Sequence, residues 1–220
     1  MRMDKMAFQI QTFAEAEDHT TYWRSRPVAE RLAAATMLTM QAYNLSWEEF
    51  ARMDRRAFSI RYRMANNIFN NDFQEFISKL NEEQVKYLLV GGYSVILHGY
   101  SRSTGDMDIW VEATEENYLK LSQAFGKFGM PVFDMVLTKF LDTERYDVFS
   151  FGIEPMRIEI LTAVKGLDFQ KAFEQGSWFE FDDFRVRSLN LSDLKKAKQA
   201  AGRLRDKVDL EQLGFIREEE

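Results

Sequence analysis

The chain has 220 residues, 45% of them hydrophobic, and a net charge of −6, which describes a globular fold with a sizeable core and no global attraction to nucleic acid. The absence of cysteine excludes disulfides and thiolate metal sites, and two histidines leave oxygen as the donor for any metal, which favours magnesium, manganese or calcium. No apolar run approaches the roughly 18–20 residues that span a bilayer, and MRMDKMAFQIQTFAEAEDH carries acids where a signal peptide needs an apolar stretch, so no membrane association and a cytoplasmic location are expected.

Residues 5–19 and 26–43 are predicted helical. In the second, Val28, Leu32, Ala35 and Leu38 recur at helical spacing behind Pro27. Ser46 and Glu49 have the spacing of a capping box that opens a short third helix. RMDRRAFSIRYR then concentrates Arg52, Arg55, Arg56, Arg61 and Arg63, which reads either as a solvated face or partner contact or as a grip on RNA. The polar stretch at 65–72 is the best boundary, because Asn and Asp favour turns. Beyond it the pattern alternates. Residues 72–83 form a predicted helix with Phe73, Phe76, Ile77 and Leu80 on one face, and 87–90 a buried strand stopping at Gly91-Gly92. A helix at 94–100, a strand at 106–112 and a helix at 117–128 with Tyr118, Leu121, Phe125 and Phe128 inward follow. Further strands are predicted at 133–137, 146–152 and 157–161, and helix resumes from 188 to 213. The expectation is an α/β (α+β) fold, a mixed sheet flanked by helices, led by a small helical module.

Within GYSRSTGDMDIWVEA, Asp106 and Asp108 stand one residue apart in a predicted strand, so both project from the same face, about 6–7 Å apart. Two ionised carboxylates at ~6 Å in an effective dielectric of ~20 repel by about 3 kcal/mol. A proton, an arginine or a divalent cation must offset that, and magnesium is economical because it is held by one or two carboxylates plus substrate phosphates. A third acid, Glu159 in MRIEIL, faces away from its core-directed neighbours Ile158 and Ile160. If its strand lies beside the first, the three acids converge. Upstream, Gly91-Gly92 leaves bare backbone that can approach a phosphate.

Val90-Gly91-Gly92, Asp106-Met107-Asp108-Ile109 and Glu159, in that order, resemble the signature of the polymerase-β-like nucleotidyltransferase superfamily. The stretch from Gly91 to Gly99, Arg102-Ser-Thr104, and a tail with Lys198, Gly202-Arg203 and Arg205-Asp206 is similar to its minimal and AbiEii-type toxin nucleotidyltransferases. The resemblance covers about residues 72–214, which implies a nucleotidyltransferase domain there and a helical accessory module at 1–65. HTTYWRSRPVAERL and RMDRRAFSIRYR resemble short proteins associated with such enzymes.

The resemblance further implies that Asp106, Asp108 and Glu159 are catalytic and hold Mg2+ or Mn2+ on an NTP substrate, with Glu159 helping to deprotonate the acceptor hydroxyl. It implies nucleotide contacts from Gly91, Gly92, Ser94, Arg102, Thr104 and Lys198, with Arg102 either on the triphosphate or paired to an aspartate. The implied activity is transfer of a nucleoside monophosphate to a tRNA, protein or small-molecule hydroxyl, in a toxin–antitoxin or defence system with a cognate partner. Glu in the third position departs from the commoner Asp. The alternative is an inactive, antitoxin-like interaction protein on the same fold. For Lys198 and Arg203 a solvent-facing role is equally open, Asp206 reads as a salt-bridge partner, Ser94 as a helix cap, and His98, Tyr93 and Trp110 as packing residues.

Overall fold

The computed structural model describes residues 8–11, 19–42, 46, 68–153 and 156–214. Seven strands form one mixed sheet: β1 (Phe8–Gln11), β2 (Tyr87–Leu89), β3 (Asp106–Val111), β4 (Val148–Ile153), β5 (Met156–Leu161), β6 (Ser177–Glu180) and β7 (Arg185–Ser188), in the spatial order β1-β4-β5-β3-β2-β7-β6. The central pair, β3 and β5, is parallel; β2 runs antiparallel to β3 and parallel to β7. Hairpins β4–β5 and β6–β7 complete the two halves, and β1 pairs antiparallel with β4 at the edge.

The helices are α1 (His19–Ser25), α2 (Val28–Ala42), α3 (Asn71–Glu82), α4 (Gly91–Leu97), α5 (Glu115–Phe128), α6 (Leu137–Leu141), α7 (Phe169–Gln175), α8 (Leu191–Ala201) and α9 (Leu204–Gly214). The Asn70 side chain caps α3 by accepting from the Phe73 N–H at 2.9 Å, and Phe73, Phe76, Ile77 and Leu80 are buried, as their spacing predicts. Thr114 caps α5, whose C-terminus closes on Gly129 at φ +75°. α3 and α5 pack together through edge-on pairs of Phe76 with Phe125 (5.2 Å) and Phe128 (5.1 Å).

Strand alternation then sorts the sheet into two faces. Tyr87, Leu89, Met107, Ile109, Ile158 and Ile160 join the aromatic cluster under α3 and α5. Leu88, Val90, Trp110 and Leu161 join a second cluster with Val95, Leu194 and Leu213. Asp106 and Asp108 share the face of Trp110, and Arg157 and Glu159 that of Leu161, so all four lie on the second face. Tyr93 and Trp110 are buried in packing roles, and the His98 Nε2–H donates to the Leu189 carbonyl at 2.7 Å while its ring meets Phe179 edge-on. Burial holds the His98 imidazole below its usual pKa and therefore neutral.

Several elements differ from the sequence patterning. Residues 8–11, expected within a helix, are a strand, because the open edge of β4 supplies backbone partners to the short alternating run FQIQ. Residues 133–137 are not a strand: the chain turns at 133–134, with Phe133 at φ +47°, and α6 begins at Leu137. Its apolar residues instead seat irregularly on the core, where Met135 is buried and Val132 and Phe133 pack against it. α4 starts at Gly91, three residues early. On α2 the first two residues of the apolar stripe face outward, with Val28 and Leu32 60% and 63% exposed. The packed side is Ala34, Met37 and Gln41, whose amide donates to the Ile68 carbonyl and the Tyr93 hydroxyl. The expected helix after Ser46 and the arginines at 52–63 lie outside the described residues.

Candidate active site

The parallel β3–β5 ladder sets Asp106 opposite Arg157 and Asp108 opposite Glu159. Partners in adjacent parallel strands lie roughly 4.8 Å apart with side chains on one face, so the sheet brings the three predicted acids together. Glu159 is 7% exposed and the aspartates are half-buried. Burial in the first place, then the charges of Asp108 and Asp106, push the Glu159 carboxyl well above the usual range. Arg157 opposes that rise, while a hydrogen bond to Asp108 favours the protonated form. The Ser150 hydroxyl donates to Glu159 Oε1 from β4, at a long 3.5 Å.

Arg157 was not anticipated. Its Nη2 lies 2.8 Å from Glu159 Oε1 and 3.4 Å from Asp106 Oδ2, and the residue is 8% exposed. Of the three ways to offset clustered carboxylates, the fold supplies an arginine. The signal was in MRIEIL: Arg157 precedes Glu159 by two, the same i, i+2 relation that aligned the aspartates. Among the described residues, no three His, Asp or Glu side chains are drawn together as a metal ligand set. The donor chemistry nonetheless fits: Asp106, Asp108 and Glu159 are oxygen donors on one face of two adjacent strands, the type a hard divalent cation takes, and their present counter-charge is Arg157.

The two glycines have a steric reason. Gly91 sits at φ +60°, and a Cβ there would overlap the Asp108 carboxylate; a Cβ on Gly92 would overlap the side chains of Arg102 and Thr104. The Val90–Gly92 stretch is thus a floor on which the acids and the Arg102–Thr104 loop rest. Gly91→Ala is expected to cost about 3 kcal/mol or more, combining left-handed strain with the displaced aspartate; urea denaturation measures the loss, and a value under ~1 kcal/mol would contradict the packing.

The remaining predicted contacts divide. Thr104 lies against Gly92, its hydroxyl 3.5 Å from the Asp106 carbonyl. Arg102 also covers Gly92, and its Nε is 3.5 Å from Asp209 Oδ1. Lys198 is 7% exposed and ion-paired to Asp206 (2.7 Å) and Asp209 (3.0 Å), both almost fully buried. The Arg203 N–H donates to Asp206 at 3.3 Å, so the α8–α9 joint is one charged cluster reaching Arg102 and the glycine floor. Ser94 is fully buried with its Oγ 2.8 Å from Ser188 Oγ, tying α4 to β7. Asp209 was missed by sequence reasoning; its signal was its place one helical step after Asp206.

No family model and no curated protein matches this chain. Among solved structures, it is similar to the lincosamide antibiotic adenylyltransferase LnuA in its lincomycin-bound form, with a TM-score of 0.45 and 16% identity over 68% of this chain and 98% of that one. It is also similar to a Thermotoga maritima chain assigned to the nucleotidyltransferases, with a TM-score of 0.41 and 18% identity over 66% and 91% of the two chains.

Proposed function

We propose that this chain is a divalent-metal-dependent nucleotidyltransferase that moves a nucleoside monophosphate from an NTP to an acceptor hydroxyl. The observation that carries the reading is the in-register pairing of Asp108 with Glu159, with Asp106 two residues along on the same face, beside a glycine floor that a single methyl group would obstruct. Asp106, Asp108 and Glu159 would hold Mg2+ or Mn2+, which when bound neutralises phosphate charge and makes a hydroxyl a better nucleophile. Gly91 and Gly92 let Asp108, Arg102 and Thr104 pack directly on the backbone, which would set those side chains at the margin of the triphosphate. Arg157, already fixed between two carboxylates, is placed to take over negative charge from the phosphates. The acceptor oxygen attacks the α-phosphorus, the bond to the β-phosphate oxygen breaks, and pyrophosphate leaves. The hydroxyl proton passes to Glu159, whose burial raises its affinity for that proton.

On this reading residues 72–214 carry the chemistry, and residues 1–65 are an accessory segment whose strand β1 joins the same sheet. The Arg102, Thr104, Asp106 and Asp108 blocks support an AbiEii-type toxin role with a cognate antitoxin and a tRNA, protein or small-molecule acceptor.

A second reading, a non-catalytic interaction protein, is favoured by Arg157, which balances the acids without a cation. Calorimetry with each NTP plus Mg2+, on the wild type and on Asp106→Ala/Asp108→Ala, separates the two. The transferase predicts binding that vanishes in the double variant, followed by labelling of an acceptor in lysate from a labelled NTP. Absence of binding to every NTP would leave the interaction protein.

A further inference from the structure

A cavity of about 220 Å³ opens between the α3–β2 turn and the β6–β7 hairpin. It is remote from the acids: Tyr87 on its wall pairs with Val111, five residues and roughly 16 Å along β3 from Asp106. Lys86, Arg185 and Arg187 line it, and no aspartate or glutamate does, in a chain whose net charge is −6. Lys86 is already paired to Glu112. Neither Arg185 nor Arg187 makes an ion pair among the described residues.

The arginines are instead held by aromatic rings. The Arg185 guanidinium lies 4.4 Å from the centre of the Trp178 ring, and that of Arg187 lies 3.8 Å from Phe173 and 5.5 Å from Trp178. Arg187 Nη2 donates to the Phe173 carbonyl, whereas its Nε is buried with no hydrogen-bond partner. Stacking fixes a guanidinium plane and leaves its edge donors available, which suits bidentate capture of an oxyanion. The neutral groups are otherwise engaged: Tyr87 donates to Asn81 Oδ1, and Asn81 Nδ2 donates to the Arg185 carbonyl. What the cavity lacks is an anion, and its walls are the flat apolar surfaces of Tyr87, Phe173 and Trp178. Its volume of about 220 Å³ exceeds that of an inorganic anion, and Trp178 and Arg185 are exposed at its rim, so a group carried by the anion can extend past the mouth.

We propose that this cavity binds a nucleoside monophosphate unit, its phosphate on Arg185 and Arg187 and its base against the aromatic walls, taken either as a free nucleotide or as one residue of a single-stranded RNA. The site is independent of the transfer reading. Its test is calorimetric titration of the full-length chain, in EDTA so that metal-bound triphosphate does not contribute, with AMP, adenosine, inorganic phosphate and a short single-stranded oligoribonucleotide. AMP or the oligonucleotide is expected to bind. Affinity should fall about tenfold or more in Arg185→Gln, as loss of a charge-assisted contact implies, and should drop in Trp178→Leu while persisting in Asp106→Ala/Asp108→Ala. Arg185 and Trp178 are exposed, so neither change threatens the fold. Binding by AMP assigns a free nucleotide, and binding by the oligonucleotide alone assigns RNA. No binding by either, affinity unchanged in Arg185→Gln, or inorganic phosphate binding as well as AMP would overturn the proposal.

Discussion

Asp108→Asn is expected to reduce nucleotidyl transfer by about a thousandfold or more while leaving the metal-free protein at least as stable as the wild type. The rate loss follows, on the proposed function, from removing one of the carboxylates that would hold the cation, whose charge stabilisation of a transition state is worth several kcal/mol. The stability gain follows from the ladder: Asp108 lies directly beside buried Glu159, and its charge helps to push the Glu159 carboxyl upward. Asparagine keeps the shape that fills the space over Gly91, so packing is preserved. The pH dependence has a definite sign. A carboxyl whose folded pKa is raised contributes stability below its unfolded value, roughly 4.3, and that contribution is lost as pH rises through the higher folded value. The wild type should therefore lose stability over this interval, and Asp108→Asn should lose less. Thermal melts in EDTA across that range, with transfer assays in Mg2+, check both halves. A variant that is inactive because it is unfolded would refute the assignment of Asp108 to chemistry.

Lys198→Ala is expected to destabilise the chain by about 3–5 kcal/mol, the usual consequence of removing one partner from a buried ion cluster. Asp206 and Asp209, each with side chains only 2% exposed, would lose their closest cation and keep the Arg203 N–H at 3.3 Å and the looser contacts of the Arg203 and Arg102 side chains, at 3.9 and 3.5 Å. Because Asp209 also contacts Arg102, the damage should reach the loop over Gly92 and weaken NTP binding as a secondary effect. Chemical denaturation and an NTP titration on the same variant separate this from a direct phosphate contact. Normal stability with a selective rise in KM for NTP would return Lys198 to the substrate.

What the sequence determined by itself was whatever depends on local period. The i, i+2 spacing of Asp106 and Asp108 and the isoleucines flanking Glu159 determine which side chains share a face, because a strand has no other way to place them. Phe73, Phe76, Ile77 and Leu80 marked α3 for the same reason, and the glycines marked a place where backbone must be bare. Partner choice was not local. That β3 lies beside β5, with Asp108 level with Glu159, is a property of the sheet order, and the sequence offered that pairing only as a condition. The same distinction explains the errors. FQIQ has no strong preference of its own and became a strand because β4 offered an open edge; Val28 and Leu32 form a helical stripe that packs on nothing buried. Tertiary structure also decided the use of the charges. The sequence left Lys198 open between a phosphate contact and a solvent-facing role, and Ser94 between a phosphate contact and a helix cap; burial beside Asp206, Asp209 and Ser188 gives each a partner inside the protein. Arg157 reads as an ordinary strand arginine until the ladder sets it between Asp106 and Glu159, since a charge is defined by its neighbours and those are chosen by the fold.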